Sequence, residues 1–360
     1  MAEPLSEEMR LAAASAAALV GGIAGTWTVR AIARRFGIVN KPNPIVPQHT
    51  RPVAYLGGVG AGIGIACGAL ALWLLPRSAA ETGSAIGAFS AMAVAGPGLL
   101  FLILGVWDDL VAFKPAPKFV LQACVAALAV ALGVWHPLTG IGIVDRVIAW
   151  FWITTLVNAF NFTDVCDGLL GSLSVVMFVA IGLTHPELGP LAFVVAAASA
   201  GFLVFNRPPA TIFLGDAGSH LLGFLAAVLT LAGMGMVMKV GGLGQVFQAG
   251  LLVAVPAFEL TFLTIVRIRK GLAWWRGSPD HFSLRLQAGG FTRRQTDLIA
   301  CTFAAAFAGG AYLVPTVGTT GRVALAAGAL ALSLVGAGFL LRWEVKPKPK
   351  PAPAAEAVAG

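Results

Sequence analysis

The chain has 360 residues, 58% of them hydrophobic and only 11% charged, against roughly 25% charged in ordinary soluble domains. Apolar stretches of about 20 residues recur along it, the length that crosses ~30 Å of hydrocarbon, and this excludes a soluble globular fold. The net charge of +8 does not imply nucleic acid, because the basic residues fall between the apolar stretches, where a positive-inside bias places them.

Taken in chain order, the Gly, Pro and charge breaks predict an all-α polytopic integral membrane protein of about 10–11 transmembrane helices. The expected spans are 11–33, 54–75, 85–106, 118–135, 146–162, 170–184, 189–205, 218–237, 246–267, 298–315 and 321–342. They form one membrane domain over residues 1–342. Residues 343–360, rich in Pro, Ala and Lys, read as a disordered cytoplasmic tail. The acidic start MAEPLSEEMR lacks the basic n-region of a cleaved signal peptide. Cys67, Cys124, Cys166 and Cys301 show no metal-like spacing and read as packing residues. No internal repeat suggests duplicated transporter halves.

Lys and Arg divide unevenly between the two sides of these spans. Nineteen fall on the side holding the loops after the odd-numbered spans and the C-terminal tail, and five on the other. This bias places the N-terminus outside and the C-terminus in the cytoplasm. The same topology carries Asp108, Asp109, Asn161, Asp164, Asp167, Asp216, Asp280 and His281 to the cytoplasmic side, although none of them entered the charge count.

Three of the acidic motifs stand at span ends. A carboxylate at the centre of a bilayer costs about 2.5–3.5 kcal/mol on insertion scales, so acids gathered at one face suggest charge chemistry there. In DDLVAFKPAPK, Asp108 and Asp109 precede Lys118, with Pro115 and Pro117 between two helices. The pair reads as metal-proximal acids with a lysine able to hold a phosphate; the alternative is an ordinary solvated helix end. In NAFNFTDVCDGLLGS, Asn158 and Asn161 share a helix face and Asp164 and Asp167 follow as the helix runs out. Amide and carboxylate oxygens are hard ligands suited to Mg²⁺, whereas hydrogen bonding between helices is the plainer use of Asn in membranes. In IFLGDAGSHLLG, Gly215 and Gly218 frame Asp216 at a helix N-terminus, and are expected to let the backbone approach a ligand there. His220 reads as structural. Near the C-terminal end, RIRKGLAWWRGSPDHFSLRLQAGGFTRRQT is the most basic segment; Asp280, His281 and Arg285 cluster within it, and Glu259 lies two turns inside the ninth span and needs a partner. His281 and Arg285, four residues apart, are expected to meet an anionic substrate.

These motifs, in this order, resemble the polyprenyl-phosphate N-acetylhexosamine-1-phosphate transferases, a branch of glycosyl transferase family 4. The likeness runs through His49, Pro52, Gly57 and Gly58, then Asp108, Asp109 and Lys118, then Asn158, Asn161, Asp167 and Gly168, then Gly215, Asp216, Gly218 and Ser219, and covers roughly residues 35–300. It implies a multi-pass enzyme of the bacterial inner membrane that moves a sugar-1-phosphate from a UDP-sugar to undecaprenyl phosphate and releases UMP, initiating a lipid-linked cell-envelope glycan. By the same resemblance Asn161 and Asp216 would hold Mg²⁺, for which Mn²⁺ could substitute. Lys118 would contact the diphosphate, Asn158, Asp164, Asp167, His281 and Arg285 would serve substrate binding, and Asp108 and Asp109 would orient or deprotonate the lipid phosphate. A homodimer is compatible with such a fold.

The chain departs from the family pattern in three places. Asp164-Val165 stands where a second Asp-Gly pair is common, Glu259 where Asp is usual, and the histidine-rich loop is reduced to Asp280-His281-Phe282-Ser283-Leu284-Arg285-Leu286. The missing histidine triplet and the loop HTRPVAYLGG favour the hexosamine branch over the phospho-N-acetylmuramoyl-pentapeptide branch. An Mg²⁺-dependent intramembrane prenyltransferase is the rival enzyme, but no DDxxD occurs, position 112 being Ala. An intramembrane aspartyl protease fails on its Gly-x-Gly-Asp signature, since Phe213 takes the first glycine position, and a non-enzymatic transporter leaves the one-sided acids unexplained.

Overall fold

The computed structural model describes residues 5–42, 50–75, 89–236, 242–273 and 275–345. Among them are thirteen α-helices: α1 (Glu7–Arg35), α2 (Gly57–Leu74), α3 (Ala91–Val111), α4 (Pro115–Ala131), α5 (Gly142–Thr163), α6 (Leu169–Thr184), α7 (Gly189–Asn206), α8 (Gly215–Met236), α9 (Gly242–Leu252), α10 (Ala254–Arg269), α11 (Phe282–Ala288), α12 (Arg293–Leu313) and α13 (Thr319–Leu340). Eight spans are long and apolar enough to cross a membrane, α7 counting together with the 3₁₀ turn before it; α4 and α6 are apolar but shorter. The all-α polytopic architecture is therefore as the apolar periodicity predicts.

Two features differ from expectation. The ninth span, expected as one helix over 246–267, is two helices, α9 and α10, meeting at an 87° bend. The short α11 in the basic loop was not foreseen, because seven residues carry too little periodicity to register. The C-terminal tail expected to be disordered lies, from residue 346 on, outside the described residues, as does His49.

Helix α8 is the centre of the molecule. Within it 89% of the most apolar window is buried, against 6% for α13. Its sequence is apolar on every side, as an enclosed helix must be, and α2, α3, α5 and α9 pack around it. By contrast, α13 turns nearly all of its apolar surface outward, as a lipid-facing helix can.

The N-terminal end of α8 is fixed by a small sheet. β1 (Val39–Asn40) and β2 (Val53–Ala54) pair antiparallel, with Asn40 opposite Val53, and Ala54 bridges in parallel to Ile212. Phe213 N–H donates to the Ala54 carbonyl at 2.9 Å, while Gly57 and Gly58 N–H donate to the carbonyls of Phe213 and Leu214 at 2.8 and 2.7 Å. The first turns of α2 and α8 are thereby tied side by side, with α3, α4 and α5 ending or starting next to them.

Candidate active site

At the α3–α4 junction the chain turns through Ala112, a non-glycine residue at φ 54°, and restarts at Pro115, whose fixed φ suits the first position of α4. Lys118 stands in that first turn. Its Nζ lies 2.6 Å from Asp216 Oδ2, 2.8 Å from Asp108 Oδ2 and 3.3 Å from Asn161 Oδ1. The Asn161 amide nitrogen donates to Asp216 Oδ1 and, at 3.1 Å, to Ser219 Oγ. Asp108 also accepts the Phe113 N–H at 2.6 Å, which closes the end of α3. Residues more than a hundred positions apart thus meet around one ammonium group.

Asp109 faces the other way. Its two oxygens accept the N–H groups of Asp216 at 2.7 Å and Ala217 at 3.2 Å, so it caps α8. The Gly-Asp-Ala-Gly turn is thus built differently from the expectation of a backbone open to a ligand. Those two first-turn N–H groups of α8 are taken by a carboxylate of this chain and are not offered to a substrate anion. The glycines serve contact between protein segments: a Cβ on Gly215, which sits at φ +75°, would lie 2.5 Å from Asp109 Oδ2, and one on Gly58 would lie 2.0 Å from the Gly218 nitrogen.

Two neighbouring cavities lie on this side of the helices, and the cluster lines the first of them. One, of about 700 Å³, is lined by Asp108, Asp109, Lys118, Asn158, Asn161 and Asp216, with Phe119, Val120, Phe162 and Trp275 as an apolar wall. The other, of about 500 Å³, is lined by Arg51, Asp164, Asp167, His281, Gln287 and Arg293. Asn40 and Tyr55 border both. Asp164 ends α5, and burial together with the negative charge of Asp216 pushes its carboxyl up to about 7. Asp167 pairs with Arg293 and accepts the Ala210 N–H at 3.0 Å. His281 Nδ1 sits 2.6 Å from Glu259 Oε1, and the second Glu259 oxygen accepts the Phe282 N–H, so the buried acid of α10 holds the start of α11.

Arg285 is placed differently from the sequence expectation. It is 3% exposed and lines neither cavity. Its guanidinium donates to Asp280 Oδ1 at 2.5 Å, to the Asp280 carbonyl at 3.2 Å and to the Trp343 carbonyl at 2.7 Å. Those bonds tie the basic loop to the chain just beyond α13. Asn158 does line the larger cavity, but its nitrogen is committed to Gln122 Oε1 and the Thr154 carbonyl; Gln122 in turn meets the buried His220 at 2.9 Å. All four cysteines are free, and Cys166, half-buried beside Ser283 and Gln287, has its thiol pushed up to about 12 by loss of solvation.

The sequence reading missed Arg51, Arg293, Tyr55, Asn40 and Gln287 as cavity residues. In the sequence Arg51 and Arg293 do not stand out from the other basic residues between the spans. The available signal was local: Arg51 and Tyr55 stand inside the loop HTRPVAYLGG, between the His and the Gly-Gly pair.

The donor set also bears on a metal. Three hard oxygens, from Asp108, Asp216 and Asn161, converge on the one point that the Lys118 ammonium takes, a chemistry that fits Mg²⁺ or Mn²⁺. Among the described residues no group of three or more His, Cys, Asp or Glu is gathered for a metal. An ion there would need the Asn161 amide and outside oxygens from water or phosphate to complete its shell, the usual state of protein-bound Mg²⁺.

Comparison with known proteins bears directly on this cluster. A family model described as "Glycosyl transferase family 4" matches residues 91–234, the stretch from α3 through α8 that carries Asp108, Lys118, Asn161 and Asp216. The decaprenyl-phosphate N-acetylglucosaminephosphotransferase of Mycolicibacterium smegmatis is 31% identical over 315 residues, covering 79% of this chain and 76% of that protein. The chain belongs to glycosyl transferase family 4. A Bacillus subtilis protein named "Probable undecaprenyl-phosphate N-acetylglucosaminyl 1-phosphate transferase" is 29% identical over 310 residues, 82% of each chain. The undecaprenyl-phosphate alpha-N-acetylglucosaminyl 1-phosphate transferase of Yersinia pestis is 28% identical over 302 residues, 78% of this chain and 77% of its own. The family match stops before the loop that holds His281, Arg285 and Arg293, so the family's matched segment supplies the acid-lysine cluster and the unmatched loop closes the polar cavity.

Proposed function

We propose that this family 4 enzyme transfers N-acetylhexosamine-1-phosphate from a UDP-sugar to undecaprenyl phosphate and releases UMP. UDP-N-acetylglucosamine is the favoured donor, because the similar proteins are named for N-acetylglucosamine. The observation that carries the reading is the Lys118–Asp108–Asp216–Asn161 cluster on the wall of a cavity with an apolar side, next to a polar cavity that shares Asn40 and Tyr55 with it. The polar cavity, with Arg51 and Arg293, suits a nucleotide diphosphate. The second, with Phe119, Val120 and Trp275, suits a phosphate carried on a hydrocarbon chain. The positive-inside bias puts this face in the cytoplasm, where nucleotide sugars are found.

In this reading an oxygen of the lipid phosphate forms a bond to the β-phosphorus of the donor. The bond from that phosphorus to the oxygen shared with the α-phosphate breaks, and its electron pair leaves with UMP. The nucleophile needs little help, since the second pKa of a phosphate monoester is near ~6 and the group is largely dianionic at neutral pH. Asp109 then acts as an organiser, consistent with both of its oxygens being spent on α8. Lys118 steadies the diphosphate and reduces the repulsion between two anions. Asp216, Asn161 and Asp108 would hold a Mg²⁺ ion, which when bound supplies Lewis-acid charge to the diphosphate oxygens.

The test is to incubate purified protein with undecaprenyl phosphate, Mg²⁺ and a panel of UDP-N-acetylhexosamines while UMP release is followed. Release with at least one donor, dependent on the lipid, is expected. No release with any donor would overturn the reading.

A further inference from the structure

Tyr55 has no part in the roles described so far, yet it stands on the wall common to both cavities, as does Asn40. Its position is tightly built. Its N–H donates to the Ile38 carbonyl at 3.2 Å, and the preceding Ala54 is held on one side by Val39 and on the other by Ile212. The following residue, Leu56, has φ 71° and ψ 24°, a left-handed conformation that bulky side chains avoid and that persists only where the surroundings enforce it. Here the enforcement is visible: Gly57 and Gly58 are bonded to the 213–214 segment immediately after the turn. Such strain concentrates at functional positions, and at this position it sets Tyr55 between the two cavities.

The chemistry of the surroundings narrows what Tyr55 does. Asn40 hydrogen-bonds its side chain, and Asp109, Asp216 and Asp164 are close enough to act on it electrostatically. Burial first, and then those three negative charges, push the phenol well above its ordinary range, so it keeps its proton. The junction is otherwise dominated by carboxylates, which repel phosphate oxygens. A neutral O–H at the same place is a donor that attracts them, and a donor fixed in advance stabilises charge more than one that must reorient.

We propose that Tyr55 is a catalytic residue of the transfer, its hydroxyl, steadied by Asn40, donating a hydrogen bond to a non-bridging oxygen of the phosphoryl group as that group passes between the two cavities. This rests on the sugar-phosphate transfer proposed above. The Tyr55 proton stays on its oxygen throughout; the new P–O bond to the lipid phosphate and the broken one to UMP are those already given. Charge is spread over the non-bridging oxygens in a phosphoryl-transfer transition state, so the bond aids turnover more than ground-state binding.

The experiment compares wild type, Tyr55→Phe and Asn40→Ala in the UMP-release assay, with each substrate varied in turn. Tyr55→Phe removes one oxygen and keeps the ring. It should lower kcat by about 10–100-fold, somewhat less than loss of a strong oxyanion-hole donor, while KM for the UDP-sugar and for undecaprenyl phosphate each stay within about twofold. Asn40→Ala, which loosens the phenol without removing it, should lower kcat by about 3–10-fold. A Tyr55→Phe enzyme with kcat within twofold of wild type, or one whose KM rises while kcat holds, would overturn the assignment. Should Tyr55→Phe not elute as wild type does, Asn40→Ala decides, and an undiminished kcat there overturns it. Absence of UMP release by wild type would instead remove the transfer reading itself, and this inference with it.

Discussion

The two cavities that meet at Tyr55 are held in shape by different means. Around Asp108, Lys118 and Asp216 the backbones of α2, α3 and α8 touch: a Cβ on Gly58 would lie 2.0 Å from the Gly218 nitrogen, and one on Gly105 would lie 2.4 Å from the Ala217 backbone. Around Asp164, Asp167 and His281 the shape depends on side-chain pairs, Asp167 with Arg293 and His281 with Glu259, with Arg285 and Asp280 behind them. Backbone contact fixes charge to within tenths of an ångström, which bond making requires. Side-chain pairs can exchange one partner for a ligand. The difference fits the proposed division, with chemistry at the helix ends and donor selection at the loops.

Substitutions at the helix ends should therefore have the largest effect. Asp216→Asn removes a charge that meets Lys118 at 2.6 Å and one of three oxygens around the candidate cation point. Turnover should fall by about 10³-fold, corresponding to ~4 kcal/mol of transition-state stabilisation. Chelation with EDTA should abolish wild-type activity, and added Mg²⁺ or Mn²⁺ should restore it. Full activity of Asp216→Asn in metal-free buffer would exclude this cluster as the cation site.

Gly58→Ala tests whether backbone contact sets the geometry. Its new Cβ would meet the backbone of α8, which cannot give as a flexible side chain would. A displacement of about 1 Å between α2 and α8 should cost turnover about 10²-fold, because misplacement on that scale is felt at the reacting atoms. Thermal stability should fall too, by up to ~3 kcal/mol. A variant with wild-type turnover and stability would show that α8 is positioned by other contacts.

The same division decides how much was legible in the sequence. Asp108, Asp109, Lys118, Asn161 and Asp216 stand in short motifs beside long apolar spans, where any charged group is conspicuous. Their convergence on one face followed from counting Lys and Arg by side. What was not legible was direction. Asp109 caps α8 while its neighbour Asp108 faces Lys118, and no local pattern separates two adjacent carboxylates. On the loop side, Arg285 looked like a ligand contact and Arg293 like a topology charge; the structure places Arg285 in a buried tie and Arg293 on the cavity wall. Both stand in a segment where basic residues are common, so identity alone could not rank them. The bend at Val253 does carry a local signal, Pro256, which stands in the first turn of α10 and cannot donate to the Leu252 carbonyl at the end of α9, but in an apolar run of this length it is also compatible with one kinked span.

Arg293→Ala should weaken use of the donor by about tenfold, near the lower end for a charge-assisted contact since its side chain is 29% exposed. KM for the UDP-sugar should carry the loss, with KM for undecaprenyl phosphate little changed. Equal loss for both substrates would show that the two cavities do not divide the work between donor and acceptor.

The smallest effect on turnover is expected from Arg285→Lys, which preserves the charge beside Asp280 but cannot reproduce the planar set of bonds to Asp280 and the Trp343 carbonyl. Activity should change by less than about threefold, a change typical of a residue outside the site. The loss should appear in the midpoint of thermal unfolding, and it should depend on pH. Burial pushes the Asp280 carboxyl up, but the hydrogen bond and charge of Lys270 and the charge of Arg285 outweigh it and hold Asp280 below the ordinary carboxylate range. A folded-state pKa below the unfolded value of about 4 means that the stabilisation is present above that value and is lost as the pH falls through the folded one. Wild type should exceed Arg285→Lys in midpoint at pH 7, and the gap should narrow as the solution is acidified below about pH 4. A pH-independent gap would trace the stabilisation to the carbonyl bonds alone, and a rise in KM for the UDP-sugar would return Arg285 to the donor cavity.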